Sequence, residues 1–275
     1  MDKRKILYIS PEISPYIPET MEAARGRKIP QSLQEKGFEV RSFMPKYGCI
    51  NERRNQLHEV IRLSGMNLII DDTDHPLIIK VATLLPSRMQ VYFIDNDDYF
   101  RHSPIKDLET RLFPEDNDER IIFFVRGVAE TIKKLRWAPE VIHCSGWISA
   151  LAPLYLKKIY NDDPAVKKAK IVFSITDPTD MPAPLGERFK EKLLMDPFTP
   201  EDVAMLGDDS VDFDALMRLA VEYSDAIVEA SPNIDPALSE KVRSTGKPVL
   251  EFIDDEDPES GIIDRYIQFY DSLHS

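Results

Sequence analysis

Short apolar runs alternate with amphipathic stretches from the start of the chain. The first three predicted elements are a strand, a helix and a strand, at Lys5–Ser10, Thr20–Lys36 and Phe38–Met44. Gly37 is a good stop for the helix, whereas Pro30 inside it predicts a kink or a later start. A strand, helix and strand of this length predict two parallel strands joined by a right-handed crossover.

The pattern changes between about residues 53 and 86, where the apolar runs become short and are separated by turn residues. The predicted strands there are Val60–Leu63, Asn67–Ile70 and Leu77–Leu84. We interpret this stretch as an antiparallel hairpin or meander inserted in the sheet. The acidic run Asp71–Asp74 with His75 resembles a set of metal ligands, but adjacent ligands do not converge on an ion. We expect an exposed turn there and no metal site.

Helices and strands alternate again after Gln90–Asp95, which is predicted to be a buried strand. The clearest helical spacing covers Asp116–Leu135, with Asn117 or Asp118 as its cap. The remaining predicted strands are Glu140–His143, Lys170–Thr176, Ala226–Glu229 and Val249–Ile253, and the remaining helices are Trp147–Tyr160, Val211–Tyr223, Asn233–Arg243 and Ile262–Leu273. An acid-rich loop is expected at about residues 177–209. This alternation predicts an α/β fold with a doubly wound, mostly parallel, Rossmann-like sheet in a single domain over residues 1–275.

Composition and charge narrow the possible partners. The 275 residues include 35 Lys and Arg against 48 Asp and Glu, a formal charge of −13, and 43% are hydrophobic. Such a chain can bury a sizeable core, while its acidity argues against nucleic acid and anionic membrane partners. No apolar run reaches the roughly 18–20 residues of a membrane span, and the N-terminus is too polar for a signal peptide. Cys49 and Cys144 form no CxxC pair, so we expect a cytoplasmic protein.

Motifs of the common catalytic and cofactor-binding types do not occur. The sequence has no GxGxxG, P-loop, GxSxG or HExxH pattern, so no cofactor is predicted. In a doubly wound sheet, ligands bind outside the carboxyl ends of the strands. His143 and Cys144 lie at one such end and are a weak candidate base and thiol. The alternative is a half-buried histidine packed under the next helix. We expect Phe113, Phe123, Phe124 and Trp137 to lie in the core.

Several sequence blocks resemble the bacterial glycogen synthases and plant starch synthases. The opening KILYISPEISPYIPETMEAARGRKIPQSLQEKGFEVRSFMPKYG matches, without a gap, that family's Ser-x-Glu-x-x-Pro strand end, Leu-x-x-x-Gly helix end and Pro-x-Tyr-Gly segment. The matched residues are Ser10, Glu12, Pro15, Pro30, Leu33, Gly37, Val40, Pro45, Tyr47 and Gly48. Further blocks follow in family order: FPEDNDERIIFFVRGVAE, WAPEVIHCSGWISAL, VFSIT and EYSDAIVEASP.

The resemblance implies the N-terminal half of a two-domain glycosyltransferase of the GT-B type. Members of this family transfer glucose from ADP-glucose to an α-1,4-glucan with retention of configuration. We predict no metal and no cofactor. The resemblance ends before the second domain, which holds most of the nucleotide-sugar in the family. We therefore expect that domain to be absent and the chain to be inactive by itself.

The chain departs from the family where the family binds its donor. The Lys-Thr-Gly-Gly-Leu loop near the donor phosphates is replaced by Pro18, Glu19, Thr20, Met21 and Glu22. Glycine flexibility and the lysine charge are lost, and Glu19 and Glu22 would repel a pyrophosphate. In the His-Ala-His-Asp-Trp block, His143 and Trp147 are retained, whereas Ser145 and Gly146 replace the second His and the Asp. The His of the Thr-Ile-His block becomes Thr176.

The resemblance also suggests which residues line the cleft and what binds there. The candidate ligand-binding residues are Ser14, Tyr16, Tyr47, His143, Ser145, Trp147 and Asp177. No nucleophile is assigned, and Glu119 and Arg120 either pair to position a loop or belong to a capped helix start.

The possible ligands are an α-glucan or a nucleotide-sugar. The alternatives are a non-catalytic glucan- or protein-binding module, one half of a split transferase, or an enzyme of another class using His143, Cys144 and Ser145. A protein partner or a second copy would bind the exposed cleft face, and the closing helix is expected to pack back across the domain.

Overall fold

The computed structural model of this chain describes residues 3–18, 20–101, 114–254, 257 and 259–274. Its strands are β1 Lys5–Ile9, β2 Glu39–Pro45, β3 His58–Glu59, β4 Met66–Ile70, β5 Thr73–Leu84, β6 Met89–Asp95, β7 Val141–Ser145, β8 Lys170–Ile175, β9 Ala226–Glu229 and β10 Val249–Leu250. Its helices are α1 Met21–Glu35, α2 Asn117–Leu135, α3 Ala152–Lys158, α4 Phe189–Leu193, α5 Phe213–Tyr223, α6 Pro236–Ser244 and α7 Ile262–Ser272. Glu19 and Phe113 lie outside the described residues.

One sheet runs through the described part of the chain. Its order is β10-β9-β8-β7-β1-β2-β6-β5-β3, and β4 pairs with β5. Each pair of neighbouring strands from β10 to β6 is parallel, whereas β5 pairs antiparallel with β3, β4 and β6. The predicted fold class, a doubly wound and mostly parallel sheet, is therefore confirmed. All parallel strands present their carboxyl ends at one edge, which we call the carboxyl edge.

The inserted antiparallel region is present, with one strand misplaced in the prediction. Residues 61–63 form a turn, and the short strand β3 precedes them at His58–Glu59. The acidic run is a hairpin turn, because Asp71 and Asp72 join β4 to β5 with φ values of 42° and 66°. Two consecutive positive φ values are typical of a type I′ hairpin turn. The described residues contain no cluster of side chains suited to hold a metal ion.

Helix α1 begins at the carboxyl edge and runs unbroken through Pro30 to Glu35. Thr20 caps its N-terminus, where the hydroxyl accepts a hydrogen bond from the Ala23 N–H at 3.0 Å. Gly26 lies where α1 crosses the first loop, and a Cβ there would be 2.2 Å from the Glu12 carbonyl oxygen. Glycine is therefore required for this close approach. The predicted later start is wrong, since Thr20 already supplies a cap.

The other predicted elements are present, with shifted ends. Helix α2 is preceded by Asp116, which makes no side-chain capping bond. The segment Trp147–Ser149 is a 3-10 turn before α3. Asp235 caps α6, which therefore begins after the predicted start at Asn233. The stretch 177–209 contains α4 and two 3-10 segments.

Two layers of helices cover the sheet. On one face of the sheet, α3 packs between α2 and α5. On the other face, α1 packs against α7. The closing helix does pack back onto the domain, where it buries Tyr266 and Tyr270 over the centre of the sheet. Arg4 and Lys36 form ion pairs with Asp271 and Asp264 of this helix. Helix α7 thus covers a sheet face and does not lie at the carboxyl edge.

The apolar core follows the predicted pattern for its aromatic residues. Phe123 and Phe124 have no exposed surface, and Trp137 is buried at the start of the turn before β7. Trp137 also donates a hydrogen bond from Nε1 to Glu39 Oε1 at 2.6 Å. No helix among the described residues is long and apolar enough to cross a membrane.

Candidate functional site

The first loop of the carboxyl edge is held by its own side chains. Ser10 Oγ donates to the Glu12 carbonyl at 2.8 Å, and Thr20 Oγ1 donates to Glu12 Oε2 at 2.6 Å. Thr20 therefore joins the loop to the start of α1 while it also caps the helix. Backbone N–H groups and the helix dipole favour anions at a helix N-terminus. Here one of those N–H groups, that of Ala23, already donates to the Thr20 hydroxyl.

Glu22 occupies the space between the start of α1 and the end of β7. Its Oε1 accepts a hydrogen bond from Ser145 Oγ at 2.8 Å, and the side chain is buried. The pKa of Glu22 is raised to about 7, chiefly by burial and also by the charges of Asp180 and Glu12, against the lowering effect of the Ser145 hydrogen bond and of Arg25. A carboxyl group of the chain itself therefore fills the position nearest the helix N-terminus, and it is largely ionised above neutral pH.

His143 lies one layer below, inside the sheet. It has no exposed surface, and its Nδ1 and Nε2 are each 2.6 Å from a hydroxyl oxygen, of Tyr270 and Ser174 respectively. Burial lowers the pKa of His143 to about 3, so the ring stays neutral at ordinary pH. Burial also raises the pKa of the Cys144 thiol far above its usual range. Both side chains are packed in the core, and neither can reach a ligand at the carboxyl edge.

A second polar group lies outside β8 and β9. Asp177 is half-buried, and its Oδ2 accepts from Ser231 Oγ at 3.0 Å and from Asn233 Nδ2 at 2.6 Å. Its Oδ1 accepts two hydrogen bonds from Thr179. Although burial acts in the opposite direction, the hydrogen bonds from Asn233, Thr179 and Ser231 lower the pKa of Asp177 to about 2. The neighbouring Asp180 is exposed, and partial desolvation raises its pKa.

The remaining predicted site residues are packed side chains. Tyr16 stands edge-on to Phe93 with ring centroids 4.9 Å apart, and burial raises its pKa to about 12. Ser14 and Trp147 are also buried. Tyr47 has no exposed surface, and its hydroxyl has no hydrogen-bond partner among the described residues. Of the predicted site residues, Ser145 and Asp177 therefore make the polar contacts of the carboxyl edge.

Glu119 and Arg120 do not pair with each other. Arg120 pairs with Asp116 one turn earlier at 3.0 Å. Glu119 accepts hydrogen bonds from Tyr99 at 2.8 Å and from Lys192 at 2.8 Å. Together these contacts tie the start of α2 to its neighbours.

Three residues of this edge were not among the predicted site residues: Glu22, Ser231 and Asn233. The strand-end rule did indicate the segment after β9, but nothing in the sequence indicates that its side chains turn toward Asp177. Glu22 was recognised only as a lost family residue. Its contact with Ser145 connects positions 123 residues apart, so it depends on the crossover between β1 and β7.

The fold and the carboxyl edge define the class of protein. A mostly parallel sheet between helix layers, with its polar groups at the carboxyl edge, is a Rossmann-like domain of the kind that GT-B glycosyltransferases contain. In a structural comparison, the catalytic domain of Starch Synthase IV from Arabidopsis thaliana, bound to ADP and acarbose, superposes with a TM-score of 0.72 and 16% identity. The superposition covers 91% of this chain and 51% of that one.

Sequence comparison identifies the family. A family model described as the starch synthase catalytic domain matches residues 5–242, and the chain belongs to this family. It is 35% identical to a glycogen synthase of Chlorobaculum parvum over 230 residues, which is 83% of this chain and 46% of the relative. It is 41% identical to a glycogen synthase of Chlorobium chlorochromatii over 172 residues, or 62% and 35% of the two chains. The chain thus spans about half the length of the curated relatives it matches.

Proposed function

We propose that this chain is a glycogen/starch synthase-type domain that binds an α-glucan and does not itself transfer glucose from ADP-glucose. The contact of Glu22 with Ser145 is the observation that carries the proposal. A buried carboxyl group stands at the N-terminus of α1 and accepts a hydrogen bond from the neutral Ser145 hydroxyl rather than from a lysine or arginine of the described residues, although the charge of nearby Arg25 lowers its pKa. An ionised carboxylate at this place repels a pyrophosphate, whose binding needs free N–H groups and cations.

The same acidic edge suits a neutral sugar. Asp177 stays ionised down to about pH 2, and Asp180 lies beside it on the surface. Asp177 holds this edge through the four hydrogen bonds it accepts, and the exposed Asp180 beside it provides a carboxyl group that can accept hydrogen bonds from sugar hydroxyls. A glucan presents such hydroxyls without bringing a negative charge. The edge therefore favours the acceptor polymer over the donor nucleotide.

His143 is not placed to transfer a proton to a ligand at the carboxyl edge. His143 is sealed beneath α7 between two hydroxyls, and a general base must reach the group whose proton it takes. Ser145 is likewise engaged with Glu22. Two of the three residues considered for catalysis, His143 and Ser145, thus make contacts that hold the domain together.

Calorimetry of the purified chain tests this function. We expect heat of binding with a malto-oligosaccharide and none with ADP or ADP-glucose. Asp177→Asn should weaken glucan binding, whereas Asp254→Asn, at an exposed position after β10, serves as the control. Binding of ADP-glucose would instead indicate one half of a split transferase. The absence of binding to every sugar would leave a protein partner or a second copy of the chain as the ligand and would overturn the glucan proposal.

A further inference from the structure

A cleft lies at the amino ends of the strands, opposite the carboxyl edge. It has a volume of about 1040 Å³ and is formed by the last turns of α2, the turn before β4 and the loop before β8. It is lined by two kinds of residue. The charged ones are Arg62, Glu130, Lys133, Lys134, Arg136 and Asp163, and the apolar ones are Leu63, Leu135, Ala138, Pro164 and Ala165.

The charge of this cleft is opposite to that of the whole chain. Four cations and two carboxylates line it, in a chain whose net charge is −13. Neutral donors hold both carboxylates in place without removing their charge: Glu130 accepts a hydrogen bond from Tyr160 at 2.7 Å, and Asp163 accepts one from the Ala165 N–H at 2.8 Å. Because the cations outnumber the carboxylates, the cleft has an excess of positive charge.

Three of the cations are available to a ligand. Lys134 donates to the Leu63 carbonyl at 3.2 Å. Arg62, Lys133 and Arg136 are exposed, and none forms a hydrogen bond or ion pair through its side chain with the part of the chain that the structure describes. Elsewhere, by contrast, cations such as Lys80 and Lys192 are each paired with two carboxylates.

Helix capping does not account for the cluster. Lys133 and Lys134 lie in the last turn of α2, where cations offset the negative end of the helix dipole. Arg62 belongs to a different segment, which the fold brings to the same cleft. The C-terminal end of the helix dipole amounts to about half a negative charge, so it does not cancel the excess of positive charge in the cleft.

We propose that this cleft binds a small molecule carrying two or more phosphate charges. The cleft is as large as typical small-molecule sites, which measure about 300–1000 Å³. Arginine and lysine are the side chains that recognise phosphate, and arginine does so with two parallel hydrogen bonds. The apolar wall, made of Leu135, Ala138 and Pro164, provides a surface for the uncharged part of an organic phosphate.

Calorimetry with ATP and with inorganic pyrophosphate tests the proposal and separates an organic from an inorganic source of the phosphates. The double variant Arg62→Gln with Lys133→Gln should weaken binding at least about tenfold, since it removes one positive charge from the turn before β4 and one from the end of α2. Arg54→Gln, at an exposed position before β3 that does not line the cleft, is the control and should not change the affinity. Binding should also weaken as salt is raised. Thermal unfolding of each variant checks that the fold is retained.

The outcomes are distinct from those of the glucan test. The proposal is confirmed if either phosphate compound binds saturably and the double variant loses that binding while Arg54→Gln keeps it. It is overturned if neither compound binds at millimolar concentration, or if Arg54→Gln weakens binding as much as the double variant does. Binding that Asp177→Asn alters and the double variant does not would place the phosphate compound at the carboxyl edge and would also overturn it.

Discussion

Replacement of Glu22 by glutamine should stabilise the domain in a way that depends on pH. Glutamine keeps an oxygen that accepts the hydrogen bond from Ser145 but carries no charge to bury. The pKa of Glu22 is raised from 4.5 to about 7, chiefly by burial. Below pH 4.5 the group is protonated in both the folded and the unfolded chain, so it has no effect there. As pH rises toward 7, the unfolded chain gains charge first, and the folded state becomes relatively less stable.

The size of the effect follows from the pKa difference. One pKa unit corresponds to about 1.4 kcal/mol, so the full penalty is about 3 kcal/mol, and about 2 kcal/mol of it develops between pH 5.5 and 8.5. Urea unfolding of wild type and Glu22→Gln at both pH values measures it. The stability gained by the variant should be larger at pH 8.5 by about that amount.

Glu240→Gln removes one carboxylate from an exposed position of α6 and is the matched control. If the difference between wild type and Glu22→Gln is the same at both pH values, Glu22 is not a buried, partly protonated carboxyl group. The argument that it blocks the N-terminus of α1 with a desolvated charge would then fail.

Three further predictions concern the residues that hold the site in place. The pKa of His143 is lowered to about 3, so the stability that its neutral ring contributes is present above pH 6.5 and is lost as pH falls. Urea unfolding at pH 7.5 and 4.5 measures this: between the two pH values, the free energy of unfolding should fall by about 3 kcal/mol more in wild type than in His143→Gln. Tyr270→Phe leaves a buried ring nitrogen of that histidine without its 2.6 Å partner, and should lower the free energy of unfolding by about 1–3 kcal/mol; an unchanged value would show that the contact contributes nothing. Gly26→Ala brings a Cβ to 2.2 Å from the Glu12 carbonyl oxygen and should cost about 1–3 kcal/mol, whereas Gly186→Ala, whose Cβ would meet its nearest atom at 3.7 Å, should cost less; thermal unfolding compares the two.

The sequence predicted the parallel sheet because each of its strands is a continuous apolar run between turn residues. The strand at Ala226–Glu229 was predicted at its observed bounds. Errors arose where local signals were ambiguous. The apolar residues of 60–63 resemble a strand, yet Ile61 is 83% exposed in a turn. Likewise, Asn233 is a good cap by type, but its amide bonds to Asp177, and the cap of α6 is Asp235.

The candidate site was harder to predict because its contacts join distant segments. The strand-end rule correctly indicated the edge at which Ser145 and Asp177 lie. It could not show that His143, two residues before Ser145, lies under a helix from the other end of the chain. That contact spans 127 residues and depends on where α7 packs. The sequence shows which side chains of a strand lie on the same face of the sheet, but which helix packs over that face depends on the tertiary structure.

An assay of glucose transfer tests the central claim most directly. The purified chain is incubated with ADP-glucose and a malto-oligosaccharide above pH 7, where Glu22 is largely ionised, and the glucan is analysed for added glucose. We expect no product beyond that of a heat-denatured sample, although the same oligosaccharide binds in calorimetry. Elongation of the glucan by the wild-type chain alone would contradict the account, because it would require a donor phosphate site where the structure has a buried carboxyl group.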